Sequence, residues 1–150
     1  MKSLLLLALV AMLLAGCRGL PPLPLGLRIQ QGDGSRACLQ LPEPDGRCLT
    51  AEGIYLPDKR LVITRTPLAY TLVHELCHAV QHQQVIEQWG ENANFWDWPK
   101  TPQGQALRAV YRVQGDLFEE GADVCAHYLL GLPLEPGEEL WAERWLSPAQ

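Results

Sequence analysis

Five consecutive residues in the middle of the chain have the types and the spacing of a metal site: His74-Glu75-Leu76-Cys77-His78. On an α-helix, positions i and i+4 lie on one face, so the two imidazoles can share one Zn²⁺ at roughly 2.0–2.1 Å each. Glu75 is next to the first histidine, where its carboxylate can accept a proton from a water molecule. The motif therefore predicts metal-assisted hydrolysis with Glu75 as the catalytic base. The alternative is a surface helix that carries two histidines by chance.

A hydrolytic zinc site needs a third protein ligand and keeps a further position open for water. Acidic side chains for this role occur in a downstream segment, Glu119-Glu120-Gly121-Ala122-Asp123. Glu119 and Asp123 share one face of a helix, whereas Glu120 points about 100° away from Glu119. Glu120 is the rival ligand, because only one of the two neighbouring glutamates can face the metal. Asp116 is a less natural candidate.

HExxH followed by a helix bearing E-x-x-x-D resembles the gluzincin peptidases, and the short chain resembles their smallest members, the minigluzincins. The resemblance covers residues 61–130 and implies a zincin-like fold. It implies that Glu119 is the third zinc ligand and that Asp123 hydrogen-bonds a ligand histidine to orient its ring. It also implies that a peptide substrate adds as a further strand to an edge strand, for which Leu61–Thr64 is our candidate.

A related subclass of zinc peptidases, the metzincins, is excluded by the residues that follow the motif. That subclass has a third histidine six residues after His78, with a glycine between them. This chain has Gln81 and Gln84 at the corresponding positions. His82, one turn beyond His78, is more typical of a helix surface than of a ligand.

Two further sets of residues are candidates for contact with substrate. The resemblance implies a histidine or a tyrosine that stabilises the oxyanion, and His127 and Tyr111 both remain open for this role. Ordinary packing is the alternative for each of them. Trp89, Trp96 and Trp98 bracket the segment after the motif helix, where they could form an apolar wall for substrate. Core packing is the more common role of such side chains.

The elements around these residues are predicted to be short strands followed by helices, which is typical of an α+β fold. The strands are Leu27–Gln31, Ala37–Leu41, Gly53–Leu56 and Leu61–Thr64, and the helices are Pro67–Trp89, Gln105–Leu130 and Gly137–Leu146. Thr66 fits the N-cap of the first helix, and residues 90–104 are expected to be irregular. Gly115 and Gly121 weaken the pattern of the second helix. We expect a small antiparallel sheet packed on a motif helix and a glutamate helix.

The first residues resemble an export signal rather than part of the fold. Lys2 precedes the uncharged run Leu4–Leu14, which has the length of a signal-peptide core and is short for a membrane span. Leu14-Ala15-Gly16-Cys17 then resembles a bacterial lipobox, in which the cysteine becomes the lipidated first residue. An ordinary secretory signal with a chance cysteine is the alternative.

This signal defines the expected domain organisation and location. Residues 1–16 are the signal peptide, residues 17–26 are a lipidated cysteine with a proline-rich tether, and residues 27–150 are the metallopeptidase domain. Acyl chains on Cys17 would hold the protein on a bacterial membrane, in the periplasm or at the cell surface. Arg18, where lipoproteins of the inner membrane often have aspartate, favours the outer membrane.

Export also changes the interpretation of the cysteines. Four remain besides Cys17, an even number that permits two disulfides in an oxidising compartment, with three possible pairings. Cys38 and Cys48 flank a turn-rich stretch, which favours a hairpin staple. Cys77 and Cys125 would then join the two segments that carry the candidate ligands. The alternative is that this second pair consists of free buried thiols.

Composition limits both size and partners. The 150 residues are enough for one domain, and a formal net charge of −5 without a basic block argues against nucleic acid as a partner. We therefore expect a zinc peptidase that cleaves peptide or protein substrates in the bacterial cell envelope. A non-catalytic zinc lipoprotein acting as scaffold or assembly factor is one alternative, although a structural site has no use for Glu75. Hydrolysis of a non-peptide envelope amide, such as a peptidoglycan cross-link, is another.

Overall fold

The elements follow the order predicted from the sequence, with short strands first and helices after them. The computed structural model describes residues 19–110 and 115–147, so Cys17 and Tyr111 lie outside the described residues. The strands are β1 (Arg28–Gln31), β2 (Leu39–Gln40), β3 (Cys48–Leu49), β4 (Gly53–Leu56) and β5 (Leu61–Thr64). The helices are α1 (Ala69–Trp89), α2 (Pro102–Val110), α3 (Leu117–Leu130) and α4 (Pro136–Leu146), with 3₁₀ helices at Pro57–Lys59 and Phe95–Lys100. A small sheet beside several helices confirms the predicted α+β class.

The main sheet is mixed rather than antiparallel, so this part of the prediction was wrong. Its strand order is β1-β5-β4: β4 runs antiparallel to β5, but β1 runs parallel to it, with Arg28 opposite Leu61. Parallel neighbours need a long connection, which the chain between β1 and β5 supplies. That connection contains β4 and the antiparallel pair β2–β3. Cys48 of β3 and Cys38, which immediately precedes β2, lie at disulfide distance, with 5.5 Å between their Cα atoms.

Strand β5, our candidate for the edge strand, is the central strand of the main sheet. All four of its residues, Leu61–Thr64, are buried. A continuous apolar run with β-branched residues is the pattern of a strand that is covered on both faces, which is why the edge prediction was wrong. One edge of the sheet is β4, and both β4 and β5 pack against α1.

Helix α1 carries the HExxH motif and runs through the core. It begins after Leu68, which gives no side-chain cap, so the predicted N-cap at Thr66 was wrong by two residues. Its predicted end at Trp89 is confirmed; Gly90 follows with a φ of 91°, which glycine adopts without a steric penalty. The apolar side chains that α1 buries include Leu72, Val73, Leu76, Val80 and Val85. The motif is therefore held on a helix that is fixed by packing on several sides.

The predicted helix Gln105–Leu130 is two helices, which corrects the sequence prediction. Helix α2 ends at Val110, and α3 begins at Leu117. Asp116 caps α3, because its side chain accepts a hydrogen bond from the backbone N–H of Phe118 at 2.9 Å. Asp116 is therefore a cap and not a metal ligand.

The three tryptophans of the inter-helix segment have different environments. Trp98 is fully buried, and its Nε1 donates to Oε1 of Gln84 at 2.7 Å. Gly121 of α3 permits this packing, because a Cβ atom there would lie 2.5 Å from the Trp98 ring. Trp89 and Trp96 are exposed. The three residues therefore do not form one apolar wall.

A second cysteine pair joins the two helices that carry the candidate ligands. Cys77 of α1 and Cys125 of α3 are buried and bonded, with 5.9 Å between their Cα atoms. Because Cys77 immediately precedes His78, this bond limits how far α3 can move from the HExxH motif.

Part of the predicted tether packs against the domain. Pro21 and Pro24 are buried, and Leu20 and Leu23 contact the hydrophobic core. Part of this proline-rich segment therefore packs on the domain, while Pro22, Leu25 and Gly26 are exposed. Across residues 19–110 and 115–147, no helix combines the length and the apolar character needed to cross a membrane.

Candidate metal centre

Three side chains from two helices converge at one point. His74 and His78 come from adjacent turns of α1, and Glu119 comes from the first turn of α3. One oxygen of Glu119 lies 3.3 Å from Nε2 of His74, and the other lies 3.5 Å from Nε2 of His78. One potential ligand atom from each residue lies within 4.8 Å of the other two, so the group could hold a metal ion.

Hydrogen bonds on the far side of each imidazole fix its orientation. Nδ1 of His74 donates to Oδ1 of Asp123 at 2.8 Å, and Nδ1 of His78 donates to Oε1 of Gln81 at 2.8 Å. Both acceptors are oxygens that carry no proton to donate, so each Nδ1 carries the hydrogen in the neutral ring. The lone pair of each Nε2 is then directed to the side on which Glu119 lies, as metal binding requires.

The electrostatics of the three residues favour a cation between them. When their Nε2 atoms also carry a hydrogen, His74 and His78 hydrogen-bond Glu119 and hold its pKa far below its ordinary range, against the effect of burial. Burial alone would lower the pKa of His74, but the hydrogen bond with Glu119 and the nearby carboxylates of Glu75 and Asp123 raise it. Two imidazole nitrogens facing a carboxylate need a proton or a metal ion to offset their repulsion. The donor set therefore fits a divalent cation.

Glu75 is not one of the converging ligands and lies beneath strand β4. Glu75 is only 7% exposed, and the nearby backbone N–H of Tyr55 slightly lowers the pKa of its carboxylate. Burial raises the pKa of Glu75, while His78 and His74 lower it. A Cβ atom on Gly53 would lie 2.8 Å from the Glu75 side chain, so the glycine leaves room for this carboxylate under the strand.

Among the described residues, no strand pairs with the outer edge of β4 at this point. In an antiparallel pair, alternate residues direct their N–H and C=O groups toward the partner strand. The N–H of Arg65 donates to the carbonyl of Glu52 at 2.7 Å, so Ile54, two residues after Glu52, also faces β5. Gly53 and Tyr55 therefore direct their backbone groups away from the sheet, toward the side on which Glu75 lies.

The other sequence candidates are not among the converging side chains, although the ring of His127 contacts Tyr70 with 5.8 Å between centroids. Glu120 is not part of the group, and one of its carboxylate oxygens is buried without a hydrogen-bond partner among the described residues. Nδ1 of His82 lies 2.7 Å from Oη of Tyr55, in a buried contact. Nδ1 of His127 donates to the carbonyl of Pro133 at 3.0 Å. None of these three acidic or imidazole groups contributes a ligand atom to the site.

Sequence reasoning missed three residues that support the histidines. Gln81 is the hydrogen-bond partner of His78, a role that its position in the sequence did not suggest. Tyr70, one turn before His74, donates to Oδ1 of Asp123 at 2.8 Å, and its pKa is raised to about 12 by burial and by the Asp123 carboxylate. The ring of Phe118 stacks on His78 with 5.0 Å between centroids. Helical spacing around the motif could have suggested Tyr70 and Gln81, at i−4 and i+3 from a histidine.

Comparisons of the chain with models of protein families, with curated proteins and with solved structures found no match. What the site can do chemically therefore has to follow from its own atoms. Two imidazole nitrogens and one carboxylate form a donor set that suits Zn²⁺, which in hydrolytic sites takes three protein ligands and keeps a position open. The buried carboxylate of Glu75 beside that set is placed to accept or donate a proton.

Proposed function

We propose that this protein is a zinc-dependent peptide hydrolase in which His74, His78 and Glu119 hold the metal and Glu75 is the general base. The observation that carries the proposal is the location of Glu75, buried between the ligand histidines and the free backbone edge of β4. A purely structural zinc site closes its fourth position with a protein ligand and gains nothing from a buried carboxylate there. Bound Zn²⁺ would polarise a substrate carbonyl and make water more acidic.

Glu75 would move the proton in this reaction. Its carboxylate takes a proton from the attacking water and later delivers it to the nitrogen of the leaving amine. Burial keeps bulk water from competing for this proton and strengthens the interaction of the carboxylate with charges that develop nearby. The Glu75 side chain packs directly under Gly53 of β4, where an added Cβ atom would lie 2.8 Å from it, so the carboxylate is held beneath the strand before substrate arrives.

The free edge of β4 would align the substrate. Gly53 offers an outward N–H and C=O and Tyr55 offers an outward C=O, and an extended peptide can pair with such an edge as an additional strand. Pairing at these two residues would bring the substrate backbone directly above Glu75. This edge replaces Leu61–Thr64 in the arrangement implied by the gluzincin resemblance.

Asp123 and Gln81 would position the ligands rather than bind metal. Each accepts the Nδ1 proton of one histidine, which fixes the ring and keeps its Nε2 available. Tyr70 adds a second hydrogen bond to Asp123 and so restrains the carboxylate.

The location that we propose for this activity is the bacterial cell envelope, with the protein anchored through lipidated Cys17. The support for this step is the lipobox-like sequence at residues 14–17. Two disulfide pairs, Cys38–Cys48 and Cys77–Cys125, are also typical of proteins that fold in an oxidising compartment. Peptide or protein substrates would then be those that reach the membrane surface.

The test is the Glu75→Gln variant, assayed for zinc content and for cleavage of a peptide mixture followed by mass spectrometry. We expect zinc to be retained and hydrolysis to fall by about 10²–10⁴-fold, because only the general base is lost. Glu87→Gln is the matched control, since Glu87 lies on the same helix and its hydrogen-bond partner among the described residues is Gln83. Full activity in Glu75→Gln would refute the assignment of the base. Zinc binding without hydrolysis by the wild-type protein would instead support a non-catalytic scaffold.

A further inference from the structure

We propose that a cleft at the far end of β4 is a subsite for a positively charged side chain of the substrate, an inference that rests on the proposed function. The cleft has a volume of about 440 Å³ and lies between the turn that follows β4 and the segment that follows α1. Its wall includes Pro57, Asp58, Arg60, His82, Glu91 and Trp96.

Tyr55 connects this cleft to the candidate catalytic site. Its backbone N–H contacts the Glu75 carboxylate, and its Oη lies 2.7 Å from Nδ1 of His82 in the cleft wall. His82 also follows His78 by four residues, so it lies about one turn further along α1. The cleft is therefore next to the site along both the strand and the helix.

A peptide paired with β4 would be delivered to this cleft. The outward-facing residues of β4 are Gly53 and Tyr55. The next alternate residue is Pro57, which has no N–H to donate. Strand pairing on this edge therefore ends at Pro57, which is also the first residue of the cleft wall. A substrate residue just beyond the paired stretch would place its side chain at the mouth of the cleft.

The charges in the cleft favour a cation. Arg60 is already neutralised by an ion pair with Glu91, and another of its nitrogens donates to the carbonyl of Leu25. Asp58 is exposed and has no hydrogen-bond or ion-pair partner among the described residues. His82 adds no positive charge near neutral pH, because burial and the nearby Arg60 lower its pKa. The charge left without a partner in the cleft is therefore the carboxylate of Asp58.

Trp96 supplies a surface on which a cationic side chain can lie. The indole is 66% exposed, and its ring packs against Phe118 with 5.3 Å between centroids, which fixes its orientation. The side chain of Asn94 accepts a hydrogen bond from the backbone N–H of Trp96, which further restrains this residue. An ammonium or guanidinium group is attracted to the face of an indole, and the aliphatic stem of lysine or arginine packs on the ring. The ligand class that fits is therefore a basic side chain of a peptide.

The experiment measures binding and hydrolysis in parallel, using the full-length protein loaded with zinc. Eight-residue peptides are randomised except at one position, which is fixed as lysine, norleucine or glutamate. Binding is measured with the Glu75→Gln protein by competition in fluorescence anisotropy, and cleavage is measured with the wild-type protein. For one of the fixed positions, we expect the peptides with lysine to bind about fivefold more tightly than those with norleucine. They should bind more than about tenfold more tightly than those with glutamate.

Two variants assign this preference to the cleft. Asp58→Asn should reduce the preference for lysine over norleucine to below about twofold, because the unpaired carboxylate is removed. Asp45→Asn removes a surface carboxylate that pairs with Arg47 outside the cleft, and it should leave the preference unchanged. Absence of a lysine preference at every position, or its persistence in Asp58→Asn, would overturn the inference. A lysine preference in binding without hydrolysis by the wild-type protein would refute the proposed function and leave the subsite in place.

Discussion

Oε1 of Gln81 accepts the hydrogen on Nδ1 of His78 across 2.8 Å. The amide nitrogen of Gln81 donates at the same time to the carbonyl of Phe118 at 2.9 Å, which determines which end of the amide faces the histidine. Gln81 is 3% exposed, so water cannot easily replace either partner. One amide therefore orients a candidate metal ligand and ties α1 to the first turn of α3, the turn that contains Glu119.

Replacement of Gln81 by alanine should weaken zinc binding by about 10–100-fold, since His78 loses the partner that fixes its ring. The affinity is measured by competition with a chromophoric zinc chelator. Gln83→Ala is the matched control, because Gln83 lies on the same helix and its side-chain partner in the described part of the chain is Glu87, away from the site. Equal zinc affinities in the two variants would show that Gln81 does not support the site.

The two neighbouring glutamates of α3 should differ in their effect on zinc. Glu119→Ala removes a carboxylate that lies 3.3 Å and 3.5 Å from the two Nε2 atoms, so we expect most of the bound zinc to be lost. Glu120→Ala removes a carboxylate that is not part of the group, so zinc content should be retained. Metal analysis of both purified variants measures this difference. The opposite order would move the third ligand to Glu120.

The two cysteine pairs should contribute unequally to stability. Cys77 and Cys125 are 48 residues apart and Cys38 and Cys48 are 10 apart, so loop-closure entropy predicts about 4 and about 3 kcal/mol, respectively. Urea unfolding of the two double alanine variants gives both free energies. We expect the Cys77→Ala/Cys125→Ala variant to be the less stable of the two and also to lose zinc affinity, because α1 and α3 are no longer crosslinked. A larger loss on removal of the Cys38–Cys48 pair would contradict this account.

His82 should make the metal-free protein less stable in mild acid. Burial lowers the pKa of His82 in the folded state, whereas the unfolded chain has the ordinary value of about 6.5. Between these two values the unfolded chain binds more protons, so the free energy of unfolding decreases as the pH falls below about 6.5. Unfolding titrations from about pH 8 to about pH 5 should show a smaller decrease for His82→Gln, which cannot titrate. Parallel curves for the two proteins would show that His82 is not held neutral by the fold.

The sequence predicts the motif helix and the ligand spacing well because both are local. HExxH on one helix fixes the relation of His74 to His78, and the apolar residues of α1 recur at helical spacing over its whole length. The sheet could not be predicted in the same way, because the parallel pairing of β1 with β5 joins residues that are about 30 positions apart in sequence. Predicting the break between α2 and α3 would have required recognising Asp116 as a helix cap rather than as an acidic ligand candidate.

The supporting residues of the site were harder to find for a related reason. The role of Asp123 was accessible only through the gluzincin resemblance, because acidic residues at i and i+4 usually form a solvated face. Gln81 and Tyr70 carry no signal beyond their spacing from a histidine, and their partners depend on how α3 packs against α1. The hydrogen bonds that orient metal ligands arise from tertiary packing, which a local sequence pattern does not report.

The central claim is that His74 and His78 hold one zinc ion, and metal content tests it most directly. The purified protein, produced with disulfides formed and dialysed after zinc loading, is compared with the His74→Ala/His78→Ala double variant by elemental analysis. His127→Ala is the matched control, because His127 bonds to the Pro133 carbonyl and is not one of the converging side chains. We predict about one zinc per chain in the wild-type protein and in His127→Ala, and none in the double variant. Wild-type protein without zinc, or a double variant that retains it, would contradict the account.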